Sequence, residues 1–391
     1  MKLPIYLDNQ ATTRVDPRVV EAMLPFFSED YGNAASRHHA FGWRAEAAVE
    51  MAREELAAAI AAPDAREIIF TSGATESNNL AIKGVTHGGG HVVTAATEHP
   101  AVLDACEDLE RRGVAVSVLS VDSEGIIDPE EVARAITERT VLVSIMAANN
   151  EIGVLQPLAK IGRICRERGV LFHTDAAQAV GKIPLDVEGM GIDLLSISAH
   201  KLYGPKGIGA LLVRSRRSDG RRLRLLPQLH GGGHQRGLRA GTLPVPLIVG
   251  FGRAVALSVA EMDAEARRLV GLRSRMLERL SQSLAGVSLN GHPQRRLPGN
   301  LNISFEGIEA DALISDLKEV AVSTGSACSS AKPETSHVLR ALGCDPARAR
   351  SSVRIGLGRF TTAEEIEVAA DALIANVAAQ RARREEARQR H

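Results

Sequence analysis

Residues 192–211 read IDLLSISAHKLYGPKGIGAL, an apolar run that stops in Ser-Ala-His-Lys and passes into a glycine-rich turn. The run 193–198 (DLLSIS) has the length and apolar content of a strand buried on both faces. Lys201 then stands just past the strand's carboxyl end, flanked by Ser198 and His200. A lysine desolvated there binds its proton less tightly and becomes a usable amine nucleophile. Gly204, Gly207 and Gly209 let the backbone pass close to a bound group. An isolated lysine at a strand end is usually a surface residue, and the neighbouring Lys206, after a Gly-Pro turn, reads as exposed.

The same alternation extends in both directions. Strands are predicted over 67–71 (EIIFT), 91–95 (HVVTA), 114–119, 140–147 (TVLVSIMA) and 170–174, with helices over 75–87, 100–112, 129–138 and 157–168 between them. Pro100, Pro129 and Pro157 stand where a first helical turn tolerates a missing N–H. Strands alternating with helices predict an α/β fold, a mainly parallel sheet covered on both faces, with ligands at the strands' carboxyl ends. Phe41, Ala45, Ala48, Ala52, Leu56 and Ala59 fall three or four apart and predict one long helix over 37–61. A second long helix over 246–284 reads as the boundary of a smaller α/β unit. That unit comprises a loop at 286–298, strands at 301–305, 320–322 and 352–356, and helices at 310–317 and 363–380.

At 391 residues the chain is long for a single domain of about 150. Its 47 Lys+Arg balance 47 Asp+Glu, which argues against nucleic acid or an anionic membrane as the main partner. Four cysteines are too few and too scattered for a disulfide framework or a zinc module. The start MKLPIYLD lacks an apolar signal region, and no apolar run approaches the roughly 18 residues of a membrane span. These features predict a cytoplasmic protein with reduced thiols. Two arginine-rich stretches, 214–224 and 381–391, read as solvated surface, with the second also a possible docking handle.

Further chemistry lies at other strand ends. VLFHTDAAQ (170–178) ends a buried strand in Asp175, with Gln178 three residues on. A carboxylate there costs several kcal/mol unless it meets a cation, and a pyridinium nitrogen is one. A Schiff-base lysine and an aspartate at neighbouring strand ends are what pyridoxal phosphate requires. TSGATESN (71–78) runs from a strand through a glycine turn into a helix, whose free N–H groups and dipole favour a phosphate. His99, in Thr-Glu-His-Pro, stands where it could cover a flat ring; a lone histidine there is otherwise a structural residue. His230-Gly-Gly-Gly-His234 cannot display both rings on one helical face and has no third ligand near, so no metal site is predicted. Cys106 and Cys165 lie in amphipathic helices and Cys344 follows Leu-Gly, but Cys328 stands in STGSACSSAKP (323–333), a small, polar stretch that need not bury it.

SISAHKLYGPKGIG, FHTDAAQAVGK, FTSGATESNNLAIKG, ANNEIG, RAGTLP and SSVRIGLGRFT together resemble the NifS/IscS-type cysteine desulfurases, class V aminotransferases on the aspartate-aminotransferase fold (fold type I). The resemblance runs from Tyr6 to about Thr362. It implies a large pyridoxal-phosphate domain with a seven-stranded, mainly parallel sheet (15–260) and a small domain (1–14 plus 261–391) carrying a mobile loop, 323–333. By that resemblance Lys201 would carry the cofactor, Asp175 would pair with its ring nitrogen, Gln178 would bond its ring hydroxyl, and His99 would stack on it and assist proton transfer. Ala74, Thr75, Ser198 and His200 would hold the phosphate. Thr242 would reach the phosphate of a second subunit, implying a homodimer. Asn150 and Arg354 would bind the carboxylate of L-cysteine, and Cys328 would take its sulfur as a persulfide, releasing L-alanine. The longer loop resembles the IscS-like branch, which passes sulfur to an iron–sulfur scaffold or another acceptor such as tRNA thiolation. A selenocysteine lyase or another class V lyase would share the cofactor residues. Ala34, Ala199, Gln10 and His337 depart from the family's commonest residues without removing an assigned group.

Overall fold

The computed structural model describes residues 3–86, 88–216, 220, 222–325 and 335–389. Seven strands form the large sheet: β1 (Ile68–Thr71), β2 (His91–Ala95), β3 (Ala115–Leu119), β4 (Thr140–Ser144), β5 (Leu171–Asp175), β6 (Leu194–Ser198) and β7 (Gly209–Val213). Their order is β1-β7-β6-β5-β4-β2-β3. β7 runs antiparallel to both neighbours, and every other pairing is parallel. No strand was expected at Gly209–Val213; glycines at its start hid a buried GALLV run. A Cβ at Gly209 would come within 2.6 Å of Gly73 Cα, so this pairing needs glycine where the edge of the sheet meets the turn after β1.

Helices follow the strands as patterned. Ala74–Val85 succeeds β1, Pro100–Arg111 succeeds β2, and Leu158–Arg168 lies between β4 and β5. His99 caps the second of these, with Pro100 in its first turn, and Gly169 ends the third in the left-handed conformation. Two apolar layers cover the sheet: one includes Phe70, Phe172, Ile197 and Phe251, the other Leu80, Val102, Leu142 and Leu211.

The predicted long helices are Ala40–Ala59 and Val245–Ser283. Contrary to the sequence expectation, a stretch of the 39-residue Val245–Ser283 helix is long and apolar enough, by length and composition alone, to cross a membrane. It is a core helix here: Ile248, Phe251, Ala254 and Val255 are buried, and a Cβ at Gly252 would meet Ala52 Cβ at 2.7 Å. Its C-terminal half carries Leu269, Leu272, Met276 and Leu280 into a separate core with Leu301, Ile303, Phe305, Ile355, Leu373 and Val377.

That second core backs an antiparallel sheet in which Asn300–Phe305 lies between Val287–Leu289 and Ser352–Gly356. The loop expected over 286–298 therefore contains a strand, too short and too half-buried to show alternation. Ile5–Tyr6 pairs with Val320–Ala321, which brings the N-terminal segment across to this part of the molecule. The last helix extends to Gln389 rather than 380, because Arg381, Arg383 and Arg384 bond Glu306, Asp316 and Glu309.

The tight crossing predicts that Gly252→Val lowers stability by about 1–3 kcal/mol through overpacking. Gly271→Ala, in the same helix with open space around it, should be neutral or stabilising by up to about 1 kcal/mol. Thermal and urea unfolding of the two variants check both signs.

Candidate active site

The carboxyl ends of β1, β2, β4, β5 and β6 converge on one cavity of about 450 Å³. Ala74, Thr75, His99, Asn150, Asp175, Gln178, Ser198, His200, Lys201 and Arg354 all line it. Thr242 does not, and Cys328 lies outside the described residues.

Lys201 closes a short turn after β6, Ala199–Lys201, whose geometry depends on Tyr203 adopting a positive φ of 66°. The N-terminal segment straps this turn. Thr13 donates through both N and Oγ1 to His200 O, and Tyr203 N donates to Thr13 Oγ1 at 2.8 Å. Lys201 Nζ donates to the carbonyls of Gln10 and Ala11 at 2.6 and 2.7 Å. These acceptors were invisible to sequence reasoning, because a backbone carbonyl has no residue signature.

Asp175, 6% exposed, ends β5. Asn78 Nδ2 donates to its Oδ2 at 2.7 Å and Ala177 N to its Oδ1 at 2.9 Å. Among the described residues no cationic side chain forms an ion pair with it. Asn78 sits one helical turn after Thr75, so the TSGATESN stretch held the signal for it.

Gln178 is held at both ends. Its Nε2 donates to Gln10 O, and its Oε1 accepts from Lys182 Nζ at 3.2 Å. Burial, with the Lys201 charge nearby, pushes the Lys182 ammonium down to about 7. His99 Nδ1 accepts from Ala101 N at 3.1 Å, which places the proton of the neutral ring on Nε2. Burial lowers the His99 pKa, while the Asp175 charge opposes that shift. His200 is pushed down to about 4 by burial and then by Lys201, so its ring is neutral near pH 7.

Arg354 is 1% exposed; it donates to Asp8 Oδ1 at 2.8 Å and to Asn150 O at 3.0 Å, and its Nε has no partner among the described residues. Two carboxyls missed by sequence reading lie behind the site. Burial drives Glu98, which accepts from Met146 N, well above the usual carboxylate range. Glu151 is raised likewise and accepts from Ser336 Oγ at 2.5 Å.

The aminotransferase class-V family matches residues 5–368 of this sequence. The chain belongs to that family. A cysteine desulfurase IscS of Anaeromyxobacter dehalogenans is 56% identical over 373 residues, covering 94% of this chain and 91% of that protein. Among solved structures, a NifS-like protein superposes with a TM-score of 0.89 at 37% identity, covering 96% of this chain and 100% of that one. SspA in complex with cysteine gives 0.80 at 38% identity, covering 92% and 100%.

The cofactor of this class V chain is pyridoxal 5′-phosphate. The residues present fit it: among the described residues, no cationic side chain pairs with the buried Asp175 that faces the cavity, and the buried Asn78 Oδ1 has no hydrogen-bond partner. The Ala74–Val85 helix opens on Gly73, which has no side chain to cap it, so its first-turn N–H groups are left for an anion.

An uncompensated buried charge gives a test with a sign. Asp175→Asn should leave the melting temperature of the cofactor-free protein unchanged or raised, while shrinking the rise that cofactor produces. Equal losses in both forms would refute the charge argument. The sheet offers a second test. His173, fully buried between Ser144 Oγ and Ser196 Oγ at 2.8 and 3.0 Å, is pushed down to about 4 by burial. Between about pH 6.5 and 4 the unfolded chain binds a proton there that the folded chain refuses, so stability falls as pH falls through that window. His173→Gln should flatten that part of the urea-midpoint profile.

Proposed function

We propose that the residues lining this cavity convert L-cysteine to L-alanine and that Cys328 takes the sulfur as a persulfide. The chain is a pyridoxal-phosphate-dependent cysteine desulfurase. The observation that carries the site assignment is Asp175, a buried carboxylate with no cation, at the strand end next to the one that leads to Lys201. The SspA structure with cysteine, whose likeness covers 92% of this chain, supports the substrate.

Pyridoxal phosphate, when bound, supplies an electron sink for the bond broken at the substrate α-carbon. Lys201 would attach the cofactor, and its amine, when free, would move the substrate α-proton. The neutral His99, with its proton on Nε2, assists that transfer. Asp175 keeps the ring nitrogen protonated, and Gln178, pinned by Lys182 and Gln10, presents an amide of fixed orientation to the ring hydroxyl. Thr75, Ser198, His200 and the Ala74 backbone take the phosphate. Arg354 and Asn150 take the substrate carboxylate, for which a guanidinium offers two parallel donors.

The Cys328 thiolate attacks the substrate sulfur. The new S–S bond forms as the carbon–sulfur bond breaks, the bonding pair stays with the β-carbon, and protonation of that carbon gives alanine. The sulfur then passes to an iron–sulfur scaffold or another sulfur acceptor. Residues 15–260 are read as the cofactor domain, and 1–14 with 261–391 as the small domain.

We also infer a homodimer in which Thr242 serves the partner's phosphate. Leu24, Phe27, Tyr31, Trp43 and Met51, all more than half exposed, give the N-terminal helices an apolar surface suited to a second copy. A reducing, cytoplasmic setting fits the unpaired thiols of Cys106, Cys165 and Cys344.

Alanine release from L-cysteine, with a reductant present, should be fast in the native protein and nearly lost in Cys328→Ala. Equal rates in both would point to a lyase that expels sulfur directly. No alanine from a cofactor-loaded native protein would end the desulfurase reading.

A further inference from the structure

Arg354 is a buried guanidinium whose one carboxylate partner among the described residues is Asp8, at 2.8 Å. The same Asp8 Oδ1 accepts from Ser323 Oγ at 3.1 Å. Ser323 and Arg354 also pair through their backbones, Arg354 N to Ser323 O at 2.7 Å and Ser323 N to Arg354 O at 3.3 Å. The Asp8 backbone is held in place: it bridges Gly356, and its carbonyl accepts from Tyr6 Oη at 3.0 Å and Ala11 N at 2.9 Å. One carboxylate oxygen thus joins the guanidinium at the cavity wall to a hydroxyl five residues before Cys328 in the sequence.

We propose that Asp8 is a positioning residue that holds Arg354 for the substrate carboxylate and ties it to Ser323. The proposal rests on the desulfurase reading above. A buried guanidinium left alone would be strongly destabilised, and Asp8 compensates it while leaving Nε without a partner. An incoming carboxylate competes with Asp8 for the same cation. Whatever it draws from the Arg354–Asp8 bond is felt by Ser323, which shares the oxygen. Asp8 therefore weakens substrate binding and, through Ser323, links that binding to the chain five residues before Cys328.

Two readouts on the holoenzyme separate these effects. The first is equilibrium binding of L-alanine, followed by the change in cofactor absorbance. The second is the rate at which persulfide appears on Cys328 after addition of L-cysteine, read by mass spectrometry. Asp8→Asn should bind L-alanine about three- to tenfold more tightly, because the competing charge is gone, and form persulfide more slowly. Ser323→Ala should slow persulfide formation and change L-alanine affinity by less than Asp8→Asn does, because only a neutral donor to the shared oxygen is lost, and it carries the test if Asp8→Asn does not fold. Weaker L-alanine binding in Asp8→Asn, in step with lost cofactor and a lower melting temperature, would make Asp8 a packing residue and overturn the proposal. Unchanged affinity and unchanged rate in both variants would overturn it equally. A native holoenzyme that neither binds L-alanine nor forms persulfide would instead overturn the desulfurase reading, and this proposal with it.

Discussion

A buried carboxylate that pairs with no cationic side chain among the described residues is the constraint around which this molecule is organised. Asp175 stands at the end of the central strand β5, flanked by β4 and β6, where burial of an unpaired charge would cost several kcal/mol. The protein blunts that cost with two hydrogen bonds, from Asn78 and from the Ala177 amide, and places the remaining demand on the cavity. The surrounding groups then make sense as parts of one charge arrangement. His200 is kept neutral near pH 7 by burial and by Lys201, and burial pushes the Glu98 carboxyl well above the usual carboxylate range.

Parallel pairing is what brings these groups together. β1, β2, β4, β5 and β6 each deliver a functional residue at or beyond the carboxyl end, and the register Asp175↔Ser196 sets how far Asp175 stands from the turn that carries Lys201. The sheet is further keyed by polar cross-links that a purely apolar core would lack. His173 links Ser144 on β4 with Ser196 on β6, and His91 links Thr140 on β4 with Ser117 on β3. Both imidazoles are satisfied at both nitrogens, so they specify register without an unmet polar group. The residue directly above His173 on the same strand face is Asp175.

Much of this was legible beforehand, for definable reasons. Buried strands next to proline-opened helices announce themselves, and His91–Ala95 and Ser352–Gly356 have the boundaries that the pattern predicts. Side chains placed by a strand end or a helix start, such as Lys201, Asp175 and Thr75, were readable because their setting is local in sequence. What escaped was non-local. Nothing in the stretch around Lys201 implies that carbonyls 191 and 190 residues earlier receive its amine. Likewise Gly209–Val213 became a strand only because β1 and β6 were there to pair with it. Lys182 looks like an ordinary surface lysine in sequence, and its burial follows from packing around the Gln178 turn.

The N-terminal segment shows why the two cores work as one machine. Ile5 and Leu7 are buried in the small core, while Thr13 holds the Lys201 turn of the large one. Between them lie Asp8, on Arg354, and the Gln10 and Ala11 carbonyls, on Lys201. A segment of seven residues, Leu7–Thr13, therefore fixes the distance between the amine that handles the α-carbon and the guanidinium suited to the carboxylate. Both ends of an amino-acid substrate are thus referenced to one short strap. A displacement of the small core relative to the sheet that moves this strap therefore shifts the groups on Arg354 and on Lys201 together.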